Sequence, residues 1–218
     1  MALRRDVYLP AIEATSRSQN ALMRLIDLSI SNEELSGEFG GDSGALAKIQ
    51  LVGSDSTVQA VSAYSEAMAK AYIELLMKRA PLVNRLSRIE MLGEFINHSQ
   101  SEQRRNIDLM KRLTLEGKID QRTLSLLNEN IDFERQQQTK YAQERDELLA
   151  KQRVEYREFA ELCFDRFLMI SRFIPPAIFA LREELELYID EKAFMEMFEE
   201  NLERAREVIT SFLRELAD

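Results

Sequence analysis

Hydrophobic residues recur along this chain at intervals of three and four, with little strict alternation, and that spacing predicts helices over most of its length. Pro10 opens the first, to about Ser29, because a first-turn N–H has no partner to lose. Ile12, Leu22, Leu25 and Ile26 share one of its sides. Ser31-Asn32-Glu33-Glu34 reads as a capping box that starts a short helix. A second short piece, Ala45 to Val52, is expected to end at Gly53 in the left-handed conformation. Ser56-Thr57-Val58-Gln59 is another capping box, starting a helix to about Arg79 that buries Val58, Val61, Tyr64, Met68, Tyr72 and Leu75. Pro81 permits a kink or a new start, and the pattern then runs on through Leu82, Leu86, Ile89, Leu92 and Ile96 toward Leu115. Gly117 ends it and Asp120 caps the next helix.

From Gln121 to Ile174 there is neither proline nor glycine, about 54 residues or about 80 Å of straight helix. Its apolar positions follow a loose heptad, but the middle, ERQQQTKYAQERDE, is almost wholly polar. Pro175-Pro176 end it, and a short helix to about Tyr188 follows. Asp190 caps the last helix, with Ile189 placed to staple onto Phe194. Phe194, Met197, Phe198, Leu202, Ala205, Ile209, Phe212 and Leu216 form its stripe.

The expected fold is therefore all-α: a helical bundle with a long, coiled-coil-like antiparallel hairpin of helices at about 82–116 and 121–174. The chain, 1–218, reads as one helical domain with an arm at about 97–140 and a body of 1–96 and 141–218. Counting outward from Gly117 sets Met110 against Leu124, Ile107 against Leu127, and residue 103 against Ile131. The hairpin thus has an apolar tip and a polar waist, and a polar waist buries little stabilising surface. Ile107, Met110, Leu113, Leu124, Leu127 and Ile131 are the candidate protein-contact residues at that tip.

Charge changes the picture by being uneven. The net is -9, which disfavours nucleic acid and anionic membranes as general partners. Segment 78–118 has nine Lys/Arg against five Asp/Glu, whereas 182–218 has five against twelve. These opposite signs suit contact with each other, within or between chains.

Candidate chemistry is sparse. SGEFGGDSGALAK, Ser36 to Lys48, gathers four glycines, but at 37, 40, 41 and 44 they fit neither a Walker loop nor a dinucleotide fingerprint. A break between two helical pieces is the expected role. His98 is the single histidine, so neither the di-iron Glu-x-x-His pair nor a zincin motif is possible, and it reads as a solvated helix residue. Cys163, the single cysteine, lies in an apolar stretch and is expected to be a buried thiol. A chain that can form no internal disulfide fits a reducing cytoplasm. MALRRDVYLPAIEATS carries no apolar core of a secretion signal. Residues 167–181, FLMISRFIPPAIFAL, are too short and too interrupted for a membrane span and are expected to be a buried junction. LAKIQLVGSDSTVQAV, Leu46 to Val61, resembles junctions in bacterial helical proteins and implies no activity.

These observations predict a non-enzymatic helical interaction or scaffold protein, bacterial and cytoplasmic. It has no catalytic, cofactor or metal residues, and its partner is a second copy of itself, most simply in a dimer, or another protein. An enzymatic or ligand-binding bundle is the first alternative. A binder of nucleic acid or another anionic partner through the 78–118 helix is the second.

Overall fold

The computed structural model describes residues 2–40 and 43–215. Their helices are α1 (Ala2–Arg24), α2 (Asn32–Gly40), α3 (Ser43–Val52), α4 (Asp55–Leu115), α5 (Gln121–Ser171), α6 (Ile174–Glu184) and α7 (Glu191–Glu215). The chain is 89% helical with no strand among the described residues, and the two long helices pair as a hairpin. The all-α class and the hairpin stand as the periodicity predicts.

Helix boundaries follow from how end groups are satisfied. Ser31 Oγ accepts from the Glu34 amide at 3.1 Å, Asp120 Oδ1 from Thr123 at 2.7 Å, and Asp190 Oδ1 from Ala193 at 3.0 Å. At the other end of α4, Gly117 adopts φ 64°. Its amide donates to Thr114 O at 3.1 Å and that of Lys118 to Leu113 O at 3.0 Å, the paired bonds of a Schellman terminus. The end of α6 repeats this geometry, with Glu186 donating to Glu183 O at 3.0 Å and Leu187 to Arg182 O at 2.9 Å. There the left-handed residue is Glu186, at φ 54°, which carries a Cβ and so costs about 1 kcal/mol relative to glycine. Glu186→Gly is expected to raise stability by about 0.5–1 kcal/mol, read from the urea midpoint at unchanged slope.

Several boundaries differ from the sequence expectation, among them the end of α5 at Ser171 rather than Ile174 and of α6 at Glu184 rather than Tyr188. Pro10 lies inside α1, not at its start. Tyr8, two residues before it, is fully buried and anchors this turn by tertiary packing, and the carbonyl that loses its partner belongs to exposed Asp6, where water can serve it. α1 ends at Arg24, not Ser29, and finishes in a tightened turn. Pro81 neither ends nor restarts α4, and the carbonyl four residues before it is that of exposed Met77. The Ser56 box does not cap α4. Ser54 does so instead, accepting from the Thr57 amide at 3.4 Å. Gly53 is also not left-handed. A Cβ there would stand 2.9 Å from Ile49 O, so glycine is needed for close approach rather than for φ. Of the glycines expected to break the helix, Gly37 and Gly40 lie within α2 and Gly44 within α3, and positions 41–42 lie outside the described residues.

The chain forms two compact units, residues 1–81 with 156–218, and residues 82–155. In the first, Tyr8, Ala11, Ile49, Val61 and Leu181 form one buried cluster joining α1, α3, α4 and α6. Leu22, Leu25, Tyr64, Met68 and Leu75 are buried along α1, the turn that follows it and α4, and Cys163 and Ile170 along α5. In the second unit, Leu82, Ile89, Leu92 and Ile96 of α4 and Leu127 and Ile131 of α5 are buried. Arg85 reaches Glu155 at 2.6 Å and Gln152 at 3.1 Å, Gln152 donates to Leu82 O at 3.2 Å, and Phe95 sits 5.4 Å from Tyr141. These contacts run in opposite directions along the two helices, as in an antiparallel hairpin.

Candidate functional site

The strongest polar constellation in the first unit surrounds Glu184, at the end of α6. Its Oε1 accepts from the Ser54 amide at the start of α4, and its Oε2 from the Tyr8 hydroxyl of α1. Burial raises the carboxyl's pKa, but bonds from Ser54, Thr57 and Tyr8 outweigh it and hold the pKa at about 2. The carboxylate also lies at the positive end of the α4 dipole. It is an anionic cap joining three helices, and both its oxygens are engaged in that role.

Arg79 is the second constellation. Its side chain is 0% exposed. Nε donates to Leu25 O at 3.1 Å, and Nη2 to Asp27 O at 2.9 Å and Ile30 O at 2.6 Å. Nη1 donates to Asn32 Oδ1. The guanidinium thus replaces the lost helical partners of the carbonyls at the end of α1 and in the turn into α2. Burial lowers its pKa, though arginine remains charged.

Cys163 is buried, and burial pushes its thiol up to about 12, against a small opposing effect of Arg79. Arg166, a cation close by in the sequence that could activate it, instead donates to both oxygens of Glu74 at 2.8 and 2.9 Å. That bond lowers the pKa of Glu74 and raises that of Arg166. His98 is exposed on α4. Among the described residues no group of three His, Cys, Asp or Glu is placed to hold a metal ion, and no helix is long and apolar enough to cross a membrane.

A cavity of about 320 Å³ opens in the first unit, with Phe39, Ile49, Val61, Tyr64 and Met68 among its walls. Ser18 and Ser65 line it too, but each hydroxyl donates back to its own helix, at 2.9 Å. Among the described residues its walls carry no charged side chain.

The tip residues divide. Leu127 and Ile131 are buried within the hairpin, and Ile107, Met110 and Leu113 are half-buried. Leu124 is 38% exposed, and Leu115, near the turn, 88%. Two of the six tip residues are thus buried, and the other four keep part of their surface exposed.

A second apolar surface, which the stripe alone does not disclose, lies on α7. Phe212 meets Phe164 of α5 edge-on at 6.0 Å, and Phe194 meets Phe179 of α6 at 5.3 Å. Phe198, Leu202, Ala205, Ile209 and Leu213 are half-buried, yet no described residue of α7 is fully buried. Met197, Val208 and Phe212 are 50%, 71% and 39% exposed. At 100° per residue these three fall with Asn201 and Arg204 in an arc of roughly 80°, centred about 100° from the half-buried side. The helix has one apolar side, Phe212 included, against α5 and α6, and Met197 and Val208 stand outside it.

Compared with protein-family models, curated proteins and solved structures, the chain matches none of them.

Proposed function

We propose that this chain is a non-enzymatic helical interaction protein that associates with itself. The observation that carries the reading is the outward side of α7, where Met197 and Val208 stand exposed beside a half-buried stripe. Exposed apolar clusters of this kind mark interfaces. The polar constellations support the same reading, because Glu184 and Arg79 spend their bonds joining helices. A buried thiol in a chain with no second cysteine suits a reducing cytoplasm.

Apolar burial supplies the affinity in such an association, and charge modulates it, since exposed ion pairs contribute only about 0–1 kcal/mol each. Light scattering at protein concentrations well above micromolar is expected to give an oligomer, most simply a dimer, that weakens but persists in high salt. A monomer at every concentration and salt refutes the reading.

The cavity beside Phe39 and Tyr64 favours one further reading, a bundle that binds a small apolar ligand. Its volume is at the lower end for ligand sites. A thermal shift with medium-chain hydrocarbons tests it.

A further inference from the structure

We infer that the cavity beside Phe39 and Tyr64 is a site for a neutral single-chain amphiphile, its aliphatic tail on the cavity floor and an uncharged head such as a hydroxyl at the rim. This rests on the ligand-binding reading given above and names the chemistry that the cavity selects.

The cavity is graded from floor to rim. Ile49 of α3 and Val61, Tyr64 and Met68 of α4 are buried and form the floor. The neighbouring face of α4, Val58, Ser62, Ser65 and Ala69, is spaced four, three and four and is half-buried, so it rises from the floor toward the surface. Gln50 of α3 also lines the cavity and is exposed. Several contacts hold these walls in place. Phe39 lies flat against Tyr72, ring centres 3.9 Å apart and planes 3° from parallel. The Tyr64 hydroxyl donates to Thr15 O at 3.1 Å. α3 and α4 meet at Gly53, where a Cβ would stand 2.9 Å from Ile49 O. A pre-formed cavity spares a ligand the cost of ordering its walls.

Polar groups select the head. Tyr64, Ser18 and Ser65 spend their hydroxyls inside the protein, on Thr15 O, Ala14 O and Val61 O. The side chains of Gln50 and Ser62 have no partner among the described residues. An amide and a hydroxyl each donate and accept, which suits an uncharged head that does the same. A carboxylate or ammonium head would give up hydration without meeting an opposite charge on the described walls. Volume sets the tail. At about 30 Å³ for each non-hydrogen atom, the share of a water molecule, octanol needs about 270 Å³. The cavity offers about 320 Å³.

Calorimetric titration of the full chain with octanol, and with octanoate at about pH 8, tests this beside thermal unfolding in octane-saturated buffer. Octanol is expected to bind with a dissociation constant of about 1 mM or below. Octanoate, ionised at that pH, binds about ten-fold more weakly. Gln50→Ala and Ser62→Ala each weaken octanol about three-fold, and together about ten-fold, while the rise in Tm that octane gives is unchanged. Ser65→Leu fills the cavity and abolishes the response to both octanol and octane. Ala69→Leu fills it from one turn further along, and circular dichroism identifies the filling variant that keeps its helix content. If octane raises Tm but octanoate binds as tightly as octanol, or octanol is indifferent to both alanine substitutions, this inference is overturned and the ligand-binding reading stands. If neither octanol nor octane has an effect, or their effects survive a folded filling variant, both are overturned.

Discussion

Replacing Arg79 with methionine is expected to cost about 3–5 kcal/mol of folding free energy, well beyond what substitution of an exposed residue costs. Methionine fills much of the same volume, so the loss is not one of packing. It comes chiefly from Leu25 O, which is buried, and in part from Asp27 O and Ile30 O, whose bonds to the guanidinium are only part-buried. A buried acceptor left without a donor costs about 1–3 kcal/mol. Against a typical total of about 5–15 kcal/mol, a loss of about 3–5 kcal/mol is from about a fifth of the stability upward. Lysine at 79 keeps the charge but concentrates its donors at one point, so it recovers only part of the loss. Urea unfolding followed by circular dichroism measures both. A methionine variant within about 1 kcal/mol of the parent shows that the turn satisfies its carbonyls in another way.

The second large effect is acid sensitivity at Glu184. Its folded pKa of about 2 lies below the ordinary 4.5, so the folded state binds this proton less readily than the unfolded chain does. The stabilisation is present in full above about pH 4.5 and is lost as pH falls from there toward 2. Its size is on the order of 2–3 kcal/mol, because the carboxylate is only partly exposed. Glu184→Gln retains the shape and an acceptor oxygen but removes the charge. The variant is expected to be less stable than the parent at pH 7 and to converge on it toward pH 2. Chemical denaturation at pH 7, 5, 4 and 3 provides the comparison. A constant gap across that range means the charge is not what Glu184 contributes.

Both residues explain how far the sequence is legible and where it stops. The helices are legible because a three-four spacing and side chains such as Ser31, Asp120 and Asp190 act within one turn of themselves. Gly117 is legible for the same reason. Arg79 is not, since most of its partners are main-chain carbonyls, which leave no mark in a sequence, and its charge merges into the basic stretch 78–118. Glu184 lies 130 residues from the amide it caps. Pro10 and Pro81 mislead because a proline's local penalty is set against packing supplied elsewhere and water at exposed carbonyls. The α7 stripe is visible, but nothing in the sequence says that two helices cover one side of it and leave Met197 and Val208 outside. The tip residues are legible as a cluster, and the burial of Leu127 and Ile131 shows how much of that cluster the hairpin itself uses.

The cluster that joins Tyr8, Ile49 and Val61 to Leu181 sets a timetable for the nascent chain. Val61 and Leu181 are 120 residues apart. A ribosome adding about 5–20 residues per second needs about 6–24 s to produce the second after the first. Throughout that interval the N-terminal helices present an apolar face whose filling side chain has not been made. A hairpin that closes about Gly117 is expected to form sooner, and to lower the entropy of bringing the distant stretches together. Until α6 arrives, the first eighty residues are a natural client for holding chaperones, and ribosome-bound chains that stop short of it should stay open to protease.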